Sequence, residues 1–439
     1  MKLVEARRNV LLLNDDGSIN FPASRHLTAE QSNPNTRELT AQALRIFHRF
    51  CVASGIDLPQ RALDGRCLSN GEVDKLAGLC YRPLSEIEEI SDRKVVSILS
   101  AKAGTPPEKL PGAVQANTAK KRLVDIAGFL EKYREVILDP NVRSDSIRTL
   151  LRTDYDRTAS KLKGKISGTK QSHHLAFRSL PCNKYEAILR ALYVRPEELF
   201  LSESGMPSRT MYRDRAMALL AAEGLRVGTI NNIQMADVRL RSGHLLIVDN
   251  REKRGRPKTS HSVLKMAASS SVNNASETMI SLWPFTQKAI SDYLETERDA
   301  SLSKTLANQS NGFLFVTERG NPIQHRSSVT KVFSQLGRRL KDLGLLDVDD
   351  DPHFSHKAVY DFYGHVLRHS AAVYYCKCKG VSDSTLDSMK SRFGWTRRSE
   401  MPQMYAARAL ADQANVDLMD FAEKLEAEVS ARVKPRKTV

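Results

Sequence analysis

Long apolar runs are missing from this sequence. No stretch approaches the ~20 consecutive apolar residues that span a bilayer. The opening MKLVEARRNVLLLNDDGS has too short an apolar run, and no small-residue cleavage site, for a secretory signal. A soluble cytoplasmic protein with no membrane partner is expected. Cysteine is sparse too. The six thiols Cys51, Cys67, Cys80, Cys182, Cys376 and Cys378 form no CxxC pair, so neither a zinc ribbon nor a disulfide framework is indicated. The Cys376/Cys378 pair fits the end of a helix. Acid is outnumbered, with 51 Asp or Glu against 67 Lys or Arg and a formal charge of +16. An anionic polymer, nucleic acid first, is therefore the partner to consider. What is present is ordinary globular material: 41% hydrophobic and 27% charged residues over 439 positions, enough for about two or three domains.

Residues 1–35 read as a polar, irregular segment. TRELTAQALRIFHRFCVASG then opens like a capped helix, with Thr36 as N-cap, Gly55 as stop and a stripe of Leu39, Ala43, Leu44, Ile46, Phe47 and Phe50. A second helix is expected over 111–138, ended by Asp139-Pro140, on the stripe Val124, Ile126, Ala127, Leu130 and Tyr133. Shorter helical candidates lie at 71–81, 83–101 and 143–161. Residues 36–165 thus read as an all-helical domain, and 166–208 as a linker and connecting helix. After 208 the pattern becomes mixed. HLLIV and SHSVLKM flank a basic turn, as in a β-hairpin; GFLFVTERGNP reads as a strand and turn, and DVDDDPH (347–353) as an acidic loop. Helices are expected at 285–298, 326–344 and from His356 onward. The fold class is mainly α with a small antiparallel sheet.

Four segments suit a phosphodiester. Arg226 follows a helix-terminating Gly-Leu and can aim its planar fork at phosphate oxygens. The hairpin turn carries Arg251, Lys253, Arg254, Arg256 and Lys258; such a loop can reach into a DNA groove, and one ammonium can protonate a leaving oxygen. His365, Arg368 and His369 stand at i, i+3 and i+4, one helical face, which pairs an imidazole with a guanidinium. Trp395 lies ten positions before Tyr405, whose hydroxyl can attack phosphorus when nearby cations ease its deprotonation.

Taken in order, Arg226 in EGLR, the hairpin lysine, His365 and Arg368 in GHVLRHS, Trp395 in FGW and Tyr405 in PQMY resemble the catalytic domain of the tyrosine recombinase (phage integrase) superfamily, over 209–410. The hairpin run GHLLIVDNREK resembles the Cre type and favours Lys253 over Lys258. Trp395 stands where most members have histidine and Cre-like members tryptophan. Thr229 occupies the place, three residues after Arg226, where members usually carry an acid.

The resemblance implies a helical DNA-clamping domain followed by a mixed α/β catalytic domain, and a site-specific recombinase working through a 3′-phosphotyrosine link. It implies no metal or nucleotide cofactor. Double-stranded DNA bearing a recombination site is the expected partner, with four protomers on two duplexes, and the need for an accessory protein stays open. Residues 411–439, a C-terminal helix and basic tail, would dock on a neighbouring protomer or on their own core. A bacterial or phage-encoded, nucleoid-associated protein is implied. Two alternatives remain at this level: a type IB topoisomerase, which re-ligates the same strand, and a non-catalytic DNA-binding protein on the same scaffold.

Overall fold

The computed structural model describes residues 2–6, 9–14, 16–30, 34–89, 112–166, 178–248, 277–304, 312–323, 326–349, 351, 353–354, 356–395 and 398–432. They form two compact units, Met1–Lys170 and Gln171–Val439. The division falls inside the segment expected to act as linker.

The first unit begins with an antiparallel pair, β1 (Lys2–Ala6) and β2 (Asn9–Leu13), followed by α1 (Phe21–Glu30). This is ordered structure where the sequence reads as irregular. Its anchor is apolar: Leu12 and Leu27 are fully buried, and Leu12 N–H donates to Ser24 Oγ at 2.9 Å. Helices α2 (Pro34–Ala53), α3 (Asn70–Cys80), α4 (Ala116–Tyr133) and α5 (Asp145–Gly164) are the long helices of the unit. On α2 the expected stripe is buried from Ala43 to Phe50, whereas Leu39 faces outward at 49% exposure. Ser69 and Glu72 form a capping box on α3, and Arg61 grips Glu72 through two bonds of 2.7 and 2.8 Å.

The second unit is organised around α7 (Met211–Ala222), which follows α6 (Cys182–Val194). Every residue of α7 from Asp214 to Ala222 is buried, as befits a helix apolar on nearly all sides. It packs against α8 (Pro284–Tyr293) and α10 (Gly364–Lys379). A small antiparallel sheet runs in the order β3 (Val238–Arg239), β4 (His244–Val248), β5 (Glu277–Ser281), with His244 opposite Ser281 and Val248 opposite Glu277. The return strand of the hairpin is thus 277–281. The run 260–266, expected in that place, lies outside the described residues. GFLFVTERGNP makes isolated bridges, among them Val316 to Pro322, rather than a strand. α9 (Arg326–Asp342), α11 (Asp383–Phe393) and α12 (Met401–Arg432) follow. The Cys376/Cys378 pair sits in the last turns of α10, with Cys376 buried near Met389. Among the described residues no helix is long and apolar enough to cross a membrane.

Candidate functional site

Helix α7 stops at Ala222 and the chain turns at Gly224, whose φ of +95° suits glycine alone. A Cβ at that position would lie 2.1 Å from the Phe393 ring, so the turn exists because the ring can lie against bare backbone. Arg226 comes two residues later, extended at φ −73°, ψ 140°, immediately before the short helix Val227–Asn231. The helix stop read from EGLR is therefore real, and it holds Arg226 between two helices. Burial pulls the Arg226 pKa down, and neighbouring Tyr405 opposes that shift.

Arg368 projects from α10 and is 1% exposed. Its Nη1 donates to the Gly224 carbonyl, and its Nη2 donates to the Phe393 carbonyl at 2.8 Å. One guanidinium thus ties the end of α7 to the end of α11. The rings of Trp395, Phe393 and Tyr405 surround its Cζ at 5.0, 5.3 and 5.6 Å, a setting that favours a cation. Even so, Arg368 Nε has no acceptor, and no carboxylate pairs with this arginine, among the described residues. Burial, then repulsion from Arg226, pushes its pKa down to about 9.

His365 and His369 share one face of α10, ring centroids 6.1 Å apart. His365 is half-buried. His369 lies flat on Tyr405 at 4.0 Å with planes 8° apart. Burial, followed by the influence of His365, Arg178 and Arg368, pushes the His369 pKa down to about 3, so this imidazole is neutral in ordinary buffers. Trp395 is 2% exposed, stacks on Phe393 at 5.0 Å and tilts against Tyr405 at 5.0 Å. Its indole Nε1–H finds no acceptor among the described residues.

Tyr405 sits in the first turns of α12, buried to 4%. One turn on, Arg408 Nη2 donates to Asp351 Oδ2 at 2.6 Å, where the Tyr360 hydroxyl also donates at 2.5 Å. Asp412 meets His353 Nε2 at 2.9 Å. The acidic segment 347–353 therefore does more than form a loop, since Asp351 is buried and moors the helix that carries Tyr405.

Between the Gly224 turn and the end of α11 lies a cavity of about 30 Å³ bordered by Arg226, Arg368, Arg392, Thr229, Ile247 and Ile280. Sequence reasoning singled out the first two arginines and missed Arg392. It also missed Glu223, whose buried carboxylate accepts from Arg392 Nη2 at 2.7 Å and from Trp283 N–H at 2.9 Å. The only sequence signal was position: Glu223 stands three residues before Arg226, and Arg392 three before Trp395. His369 was noted for its helical face, but its stacking on Tyr405 was not foreseeable. Of the six residues picked for chemistry, Arg226, His365, Arg368, Trp395 and Tyr405 lie in this one unit, with Trp395 and Tyr405 packed around Arg368. Lys253 and the basic Arg251, Arg254, Arg256 and Lys258 lie outside the described residues.

A model of the phage integrase family matches residues 192–411, half of the chain and all of the residues just described from Gly224 to Arg408. The chain belongs to the phage integrase family. Membership places its activity with DNA recombination of the tyrosine type. Among solved structures the chain is similar to XerA recombinase, at 12% identity and TM-score 0.34, covering 90% of this chain and 96% of that one. It is also similar to the Tn1549 transposon integrase in complex with a circular intermediate DNA, at 13% identity and TM-score 0.39, covering 77% and 99%. No curated protein matches it.

Proposed function

We propose that the chain is a site-specific recombinase of a mobile element, acting in the cytoplasm on double-stranded DNA, and that Tyr405 is its nucleophile. The observation that carries this reading is the buried Arg368, which has no carboxylate partner among the described residues and lies beside a tyrosine ring. Burying an unpaired cation is costly, and an anionic phosphate entering next to it offsets that cost. The unpartnered Trp395 Nε1–H and Arg368 Nε–H add two donors for phosphate oxygens.

In this reading Arg226 and Arg368 neutralise the nonbridging oxygens of the scissile phosphate, and Trp395, in the Cre-like place, donates its indole N–H. Tyr405 Oη attacks phosphorus while its proton passes to His365. The bond to the 5′-oxygen breaks, and Lys253 gives that oxygen a proton. The products are a 3′-phosphotyrosine ester and a free 5′-hydroxyl. Attack by the 5′-hydroxyl of a second strand reverses these steps and releases Tyr405, so the bond count is conserved and no external energy source is needed. Residues 209–410 supply this chemistry, residues 36–165 clamp the duplex, and Arg251, Arg254, Arg256 and Lys258 contact its backbone, which makes binding steeply salt-dependent.

Exchange between two duplexes requires four cleavages and hence four protomers. Supporting self-association, the distal part of α12 exposes Leu418, Phe421 and Leu425 at 68%, 64% and 50%, an apolar face suited to a neighbouring copy.

The test is incubation of the purified protein with DNA spanning the ends of its own element, in the presence of a chelator, followed by a detergent quench. A protein–DNA adduct confined to one sequence is expected. Adducts spread over unrelated DNA would instead mark relaxation by a topoisomerase, and tight binding without adduct a non-catalytic scaffold.

A further inference from the structure

Arg392, unlike Arg368, has a carboxylate partner among the described residues. Its Nη2 donates to Glu223 Oε2 at 2.7 Å. The Glu223 side chain is wholly buried, with its second oxygen held by the Trp283 N–H. The bridge joins the residue before the Gly224 turn to the last turn of α11, so the guanidinium is fixed from behind. Its other terminal nitrogen, Nη1, is also buried, yet has no acceptor among the described residues. The side chain borders the cavity that Arg226 and Arg368 border. At about 30 Å³ that cavity is roomy enough to admit at least one oxygen atom.

A buried N–H donor without acceptor is unfavourable unless something occupies the space before it. The geometry points to Arg392 as a third guanidinium of the active site, whose Nη1–H donates to a nonbridging oxygen of the scissile phosphate while Glu223 holds Nη2 and fixes the fork. One planar group can serve both partners because its donors diverge from a rigid plane. The assignment rests on the recombinase reading above and extends it to a residue pair that the order of motifs does not include.

The rival account gives Arg392 the single task of neutralising buried Glu223. Two variants separate these roles. Arg392→Met removes the donor and leaves Glu223 unpaired; adding Glu223→Gln removes the stranded charge, and such replacements of buried pairs are often tolerated. The readout is the single-turnover rate of covalent adduct formation on the duplex where the wild-type adduct maps, together with equilibrium affinity for that duplex.

If Arg392 touches the phosphate, both the single and the double variant cleave about 100-fold more slowly than wild type, with affinity within about threefold. Recovery of near wild-type cleavage by the double variant would overturn the assignment. Arg392→Lys guards against a misfolded double variant: it keeps a cation for Glu223 but has no second arm for the phosphate, so it too should cleave slowly, and wild-type speed would overturn the assignment. A wild-type protein forming no adduct removes the recombinase reading and Arg392 with it. A wild-type adduct with unimpaired Arg392→Met removes Arg392 alone.

Discussion

The imidazole of His369 lies flat against the ring of Tyr405, centroids 4.0 Å apart and planes within 8°. Face contact fixes the plane of the phenol but leaves the ring nitrogens directed sideways, so in the proposed reaction His369 orients Tyr405 without taking its proton. A flat replacement should then suffice. His369→Phe is expected to keep most of the rate of adduct formation, whereas His369→Ala, which leaves a void beside the ring, should lose on the order of tenfold or more. Equal loss in the two variants, measured by single-turnover cleavage, would show that the imidazole nitrogens matter.

In the proposed reaction Arg368 sets the alkaline limit. Burial and repulsion from Arg226 pull its pKa down to about 9, so its charge is present through neutral pH and is lost above that value. At DNA concentrations far below saturation, where the rate reports the free enzyme, adduct formation by wild type should fall as pH rises past about 9, with no inflection from His369 between pH 5 and 8, because that imidazole stays neutral down to about 3. A rate profile still flat at pH 10.5 would contradict this assignment.

Gly224 is fixed by two independent constraints, its positive φ and the Phe393 ring 2.1 Å from any added Cβ. Gly224→Ala should cost about 2 kcal/mol or more of stability in the second unit. It should also slow cleavage further than that loss explains, since Arg368 bonds to the carbonyl of this residue. Chemical unfolding together with the adduct assay checks both parts.

In the first unit, burial pushes the thiols of Cys67 and Cys80 up to about 12 from a usual 9.0. The unfolded chain loses these protons near pH 9 and the folded chain keeps them, so their contribution to stability is whole below pH 9 and drains away as pH climbs toward 12. Each thiol should remove roughly 1.4 kcal/mol per pH unit in that window. Replacing both by alanine should lessen the alkaline slope of urea unfolding, leaving the share of Cys51, which burial also pushes up to about 12, while lowering stability at pH 7.

Much of this was legible in the sequence, and the reasons are local. The helices at 34–53 and 116–133 announce themselves because their buried residues recur at helical spacing. The EGLR stop is legible because glycine has a backbone role there. The β1/β2 pair was hidden because five-residue strands are too short to carry much periodic signal; what orders them is Leu12 packing under α1. The strand 277–281 pairs with 244–248 across a long connection, a distance that hairpin rules do not reach. Within the site, the order of Arg226, His365, Arg368, Trp395 and Tyr405 is a chain property and could be read. The Glu223–Arg392 bridge spans 169 positions and the His369–Tyr405 stack joins two separate helices, so both are products of tertiary packing alone.

The central claim is that Tyr405 becomes joined to DNA, and direct identification of the linked residue tests it. The quenched adduct is digested with protease and nuclease, and the peptide carrying a nucleotide is sequenced by mass spectrometry, for wild type and for Tyr405→Phe. The nucleotide is expected on Tyr405 of the wild type, and the variant, binding DNA with near-native affinity, should give no adduct. A nucleotide on any other residue, or an adduct formed by Tyr405→Phe, would contradict the account.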